Sequence, residues 1–258
     1  MRPRRFTCVL MLAAVLQSPL CRAESSAIDP PNIARLLTQL HAADWSARAD
    51  AYERLRSDPA VLARSDVRNA LLDLLAREDQ VIDSTLRRSR EQEGLDENFA
   101  GYVDELGGTV HKLADWNDPR QVCIFVRDVP HPDGALAATL AAHGQLIAGC
   151  LIADVSGNDA GLTRAGAAAV LVQAIAMADP PLDLRTAQRA RETVRHALRD
   201  RSDAVRIATV TALADFGDES IVPELRVVAK SDPILSLRDY TALAITRMRK
   251  RLNAAASF

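Results

Sequence analysis

The sequence predicts an all-α protein: an array of stacked helix pairs, an α-solenoid, behind a more irregular helical N-terminal lobe. Three observations lead there. Aromatic residues make up only 4% of the 258 and glycine is sparse at 11. No stretch of useful length shows the alternating Val/Ile/Thr/Tyr pattern of a half-buried strand. The last third of the chain repeats itself: Arg206 and Arg238 are 32 residues apart, and so are Ala212 and Ala244. A fixed period in this range marks arrays of helix pairs.

The N-terminus reads as an address. Arg2, Arg4 and Arg5 form a basic start, 9–16 is apolar, Pro19 breaks the run, and Cys21-Arg22-Ala23 offers a cleavage site. That order of parts is a secretory signal peptide over 1–23. The apolar run is shorter than the roughly 20 residues needed to span a bilayer. Cys21 follows Leu20, where a lipoprotein would carry a small residue. The expectation is export, to the periplasm or beyond, with no stable membrane insertion after cleavage.

Removing 1–23 takes away four arginines and no acids, so the net charge moves from −2 to −6. Nucleic-acid binders usually present a basic stripe, so nucleic acid is not the expected partner. Cys8 and Cys21 leave with the signal, and Cys123 and Cys150 remain. In an exported chain this pair is read either as a disulfide or as two buried thiols. A disulfide would close a loop of about 28 residues and stabilise by roughly 3–4 kcal/mol in the chain-entropy picture.

The helices follow in order. Pro30-Pro31 opens the first, with Ile33, Leu36, Leu37 and Leu40 on one face. Asp44 caps the second, which carries Ala47, Ala51 and Leu55 and ends at Asp58-Pro59. Val67, Leu71, Leu74 and Leu75 mark a third that runs on through Val81, Ile82 and Leu86. The charged run 87–93 reads as a solvated helix end and loop. Phe99, Tyr102, Val103, Leu106, Val110 and Leu113 mark a long helix containing Gly107-Gly108, a candidate kink or close-approach point. Asp118-Pro119 starts another.

The loop 129–134, with two prolines and a glycine, divides a lobe at 24–129 from a repeat region at 135–258. A short helix pair flanks Gly144. Thr163 is expected to cap a helix running to Met177, which Asp179-Pro180-Pro181 ends. Four more helices follow over 186–199, 203–216, 221–228 and beyond Asp232-Pro233. Gly217 suits the left-handed position after a helix.

The motif Asp203-x-Val205-Arg206, then Ala208, Ala212-Leu213, Gly217-Asp218 and Ile221-x-Pro223-x-Leu225 resembles the short bacterial HEAT repeat, clearest over 184–252. In that family the Asp and Arg positions form side-chain ladders between repeats. The resemblance therefore assigns Asp203, Arg206 and Arg238 to a structural ladder rather than to a site.

Little chemistry is written in the chain. His41, His111, His131, His143 and His196 are scattered, and none has zinc-ligand spacing with Cys123 or Cys150. There is no His-Glu-x-x-His, no Gly-x-Ser-x-Gly and no Walker loop. The segment 154–159 lacks the alternating ligands and distal glutamate of a calcium loop. Trp45 and Trp116 are core residues or exposed anchors. No cofactor, metal site or catalytic residue is expected. The functional expectation is an exported, non-catalytic protein–protein interaction scaffold or adaptor that holds an unknown protein partner in its helical groove. The alternative is a HEAT-fold enzyme or small-molecule-binding protein. The missing His-Glu dipeptide weighs against a HEAT-borne hydroxylase, and the signal peptide against a cytoplasmic bilin-lyase-like role.

Overall fold

The computed structural model describes residues 28–88, 96–126, 135–157 and 159–256. The signal segment 1–23, most of the charged run 87–93, and the loop 129–134 with His131 lie outside the described residues or side chains. Among the described residues all regular structure is helical. The α-helices are α1 (Pro30–Gln39), α2 (Trp45–Arg56), α3 (Pro59–Leu62), α4 (Ser65–Arg88), α5 (Glu97–Leu113), α6 (Pro119–Phe125), α7 (Ala135–Ala142), α8 (Gly144–Ser156), α9 (Gly161–Met177), α10 (Leu184–Ala197), α11 (Asp203–Phe216), α12 (Val222–Ser231) and α13 (Leu235–Ala255). A 3-10 turn, Glu219–Ile221, leads into α12.

Local chemistry sets the starts. Asp44, Asp58, Asp96, Asp118 and Asp183 each accept a backbone N–H one turn into the helix they precede. Such caps satisfy amides that have no partner inside the helix. Pro30, Pro59 and Pro119 occupy first-turn positions, where no N–H is needed. Asp58-Pro59 therefore ends α2 and also begins α3.

In the N-terminal part α1 packs on α2, and α2 and α4 pack on α5. α5 runs unbroken through Gly107-Gly108. Further on, α9 lies at the centre, with α7, α8, α10 and α11 against it. It is buried continuously from Arg164 to Ala174. Alanine explains this: a helix apolar on every side, with small side chains, admits neighbours on all faces. α11 then packs on α13, and α12 on α13. A single apolar cluster runs from Ile33 to Met248, so the core continues across the 129–134 loop. Cys123 of α6 and Cys150 of α8 are joined in a disulfide with Cα atoms 5.9 Å apart, which ties the same two regions covalently.

Two sequence expectations are corrected. α9 begins at Gly161 with Ala160 at its cap position, and neither Ala160 nor Thr163 caps it. The cap comes from α4: the Asp83 carboxylate accepts from the Ala160 N–H at 2.7 Å and from the Thr163 hydroxyl at 2.8 Å. Gly217 is not left-handed, since its φ is −68°. Space explains the glycine, because a Cβ there would lie 2.5 Å from the Leu213 carbonyl oxygen and 2.9 Å from Met248 Sδ.

Candidate binding cleft

Four arginines occupy the same place in four helices. Arg48, Arg164, Arg206 and Arg238 are each the fourth residue after the cap of α2, α9, α11 and α13. Each folds back over the turn before its helix. Arg48 Nη1 donates to the Ala42 and Ala43 carbonyls at 3.0 and 2.9 Å. Arg206 Nη1 donates to the Asp200 carbonyl at 2.9 Å, and Arg238 Nε to the Asp232 carbonyl at 2.6 Å. Arg164 Nε does the same to the Asp159 carbonyl at 3.2 Å. These donors satisfy turn carbonyls that no helix reaches.

In Arg48, Arg164 and Arg206 the rest of the guanidinium meets an acid. Arg206 pairs with Asp232 at 2.7 Å, and Arg164 with Asp200. A ladder thus runs Arg164–Asp200–Arg206–Asp232–Arg238 through the turns before α11 and α13. Arg206 and Arg238 belong to this chain of contacts, and Asp203 does not. It is exposed, at the first position of α11, and its carboxylate accepts from the neighbouring Ala204 N–H at 2.8 Å. Asp200, three residues earlier and within the turn, faces Arg164 instead.

In the N-terminal region the same device builds one wall of a cleft. Arg48 Nε and Nη2 hold the Glu78 carboxylate of α4 at 2.5 and 2.7 Å, and Glu78 is fully buried. The Glu78 hydrogen bond holds Arg48 above its ordinary pKa, although burial acts the other way. The Tyr102 hydroxyl donates to Glu78 at 3.4 Å. Burial, then the Glu78 charge, pushes that phenol well up. Arg77, next to Glu78, donates to the Leu40 carbonyl.

Aromatic rings sit on this base. Trp45 stacks on Tyr102, centroids 6.1 Å apart, and meets Phe99 edge-on at 5.7 Å. Tyr52 meets Tyr102 edge-on at 6.0 Å and donates to the Glu105 carbonyl at 2.9 Å, fixing α2 on α5. Between the α1–α2 turn, α4 and the start of α5 lies a cavity of about 590 Å³. His41, Trp45, Arg77, Val81, Asp96 and Phe99 are among its lining residues. Its two carboxylates are committed to helix starts. Asp44 takes the Ser46 hydroxyl at 2.6 Å, which holds its pKa down, and Asp96 takes the Asn98 N–H at 2.9 Å. Arg77 is only half committed, because its Nε is buried without a partner. The lining combines the half-buried Trp45 ring with a partly exposed arginine, residue types that suit recognition.

The other singled-out residues lie elsewhere. Trp116 packs between Phe125 and His143, centroids 5.4 and 5.5 Å away, so it belongs to the core margin. His111 packs edge-on to Phe125 at 4.4 Å, His143 Nδ1 is 2.9 Å from the Thr139 carbonyl, and His196 is exposed. Among the described residues no group of three or more His, Cys, Asp or Glu side chains is placed to hold a metal ion. No single described helix is long and apolar enough to cross a membrane. A local signal marked Trp45 and its cap, but none marked the cleft, which three separate segments assemble. Compared with family models, curated proteins and solved structures, the chain matches none.

Proposed function

We propose that this chain is an exported, non-catalytic scaffold or adaptor of the cell envelope, a HEAT-like solenoid that grips a partner protein, with the α1–α2/α4/α5 cleft as its contact point. The observation that carries the reading is the lining of that cleft. The half-buried Trp45 and the edge of the buried Phe99 line it beside the half-committed Arg77. Tryptophan and arginine dominate the energetics of protein interfaces. The recurring fold-back arginines support the array reading, since Arg48, Arg164 and Arg206 each bury a charge in an ion pair to another helix or turn. The signal-like start supports export.

The test is capture from an envelope extract by the wild-type chain and by two variants. Trp45→Ala removes the ring, and Val81→Arg changes the cleft lining at an exposed side chain. One protein enriched by wild type and reduced about tenfold or more by both variants is the expected result. Enrichment unchanged by either variant would refute the cleft as the contact.

A second reading has one observation in its favour. The cavity volume falls in the range of small-molecule sites, about 300–1,000 Å³. A metabolite that raises the melting temperature of wild type but not of Val81→Arg would favour it.

A further inference from the structure

α13 has two working faces. Leu237, Thr241, Ala244 and Met248 are buried inside the chain. On the other side Leu235, Asp239, Ala242, Leu243, Thr246 and Lys250 are all exposed. Their spacing keeps them in one strip along the helix. Leu235 and Leu243 are 65% and 67% exposed, two large apolar side chains about two turns apart on one face. Asp239 and Lys250 stand towards opposite ends of the strip. Eleven residues separate them by about 16 Å along the axis, so they do not meet each other.

We propose that this strip is a self-association surface, on which α13 of a second copy packs antiparallel about a twofold axis. Charge selects the occupant and its direction. The midpoint of Asp239 and Lys250 falls between Ala244 and Ile245. An antiparallel copy turned about that point sets Asp239 opposite the partner's Lys250, and Lys250 opposite the partner's Asp239. It also sets Leu243 opposite the partner's Thr246, and Leu235 opposite the partner's Ala254. A parallel copy would place like charges together, which destabilises. The other cations near Lys250 are already engaged. Arg247 pairs with Asp215 at 2.6 Å, Arg249 pairs with Glu219, and Arg251 donates to the Gly217 carbonyl. Such a contact is isologous and closes at two copies.

The strip, from Leu235 to Lys250, is about 23 Å long and about 10 Å wide, less than a standard interface, so the dimer is a weak one. Light scattering from about 5 to about 500 μM tests it. The mass should rise from that of one chain towards twice that value. Leu243→Asp should weaken association about tenfold or more without loss of helical content. Asp239→Lys and Lys250→Asp should each weaken it, and the double exchange D239K/K250D should restore it to within about threefold of wild type. A monomer throughout, or a dimer indifferent to Leu243→Asp, overturns the surface. A double exchange that fails to restore association overturns the antiparallel register.

Discussion

Arg206 and Asp232 form a two-point ion pair, at 2.7 and 3.2 Å, with their side chains only 9% and 3% exposed. Asp232 has further duties: its carboxylate accepts from the Ile234 N–H and its carbonyl from Arg238. Removing one partner strands a buried charge, so Asp232→Ala should cost about 3–5 kcal/mol in urea unfolding. Replacing both partners with apolar residues, R206M/D232L, should cost well under the sum of the two single changes. Equal additive losses would mean that the pair is not coupled.

Acid should undo the ladder and one inter-helix tie in a defined direction. Burial alone would raise the Asp232 carboxyl, but hydrogen bonds from Arg206 and the Ile234 N–H, with the Arg206 and Arg238 charges, hold it below its ordinary value. Asp183 is held down to about 2, chiefly by the Thr186 hydroxyl, then by the Thr186 N–H and the Gln145 amide. A lowered carboxyl contributes stability in full above its unfolded pKa of about 3.9 and loses it as pH falls through the folded value. Melting temperature should therefore drop from about pH 4 towards about pH 2. Asp183→Asn keeps a capping acceptor but takes up no proton, so it should flatten that drop and lose at pH 7 the stability that the charged carboxylate supplies.

Asp83 caps a helix to which it is not connected locally, reaching the Ala160 N–H across 77 residues. Asp83→Ala should destabilise by about 1–2 kcal/mol. It should also raise hydrogen exchange in the first turn of α9 before exchange rises in α11. Uniform acceleration along the chain would contradict a local cap.

Glycines sort by space. A Cβ at Gly217 would strike the Leu213 carbonyl and Met248, whereas one at Gly108 or Gly149 meets nothing within 4 Å. Gly217→Ala should cost about 1–3 kcal/mol. Gly108→Ala and Gly149→Ala, in exposed helix interiors, should each stabilise by about 0.5–1 kcal/mol. Thermal unfolding of the three variants distinguishes them by sign.

Helix positions were legible where the cause is local. Ile33, Leu36 and Leu40 announced the buried face of α1, and Asp44, Asp118 and the Asp-Pro pairs announced starts. What failed depends on distant chain. Thr163 looked like a cap because nothing near it reveals Asp83. Asp203 looked like a ladder acid because it belongs to the motif, while the acids that face the arginines, Asp200 and Asp232, lie six residues before Arg206 and Arg238. That six-residue interval is visible in the sequence once the arginine is known to fold back over its turn. The cleft was not legible, because Trp45, Arg77 and Phe99 come from three segments that only tertiary packing joins.

Whether a partner protein sits in this cleft is read by photocrosslinking. A photoreactive residue at Val81, inside the cleft, is compared with one at Lys230, exposed on α12, in intact envelope. Position 81 should give adducts to one protein, confined to a short segment of it, and position 230 few. Equal yields to many proteins from both positions, or none from position 81, would contradict a partner at the cleft.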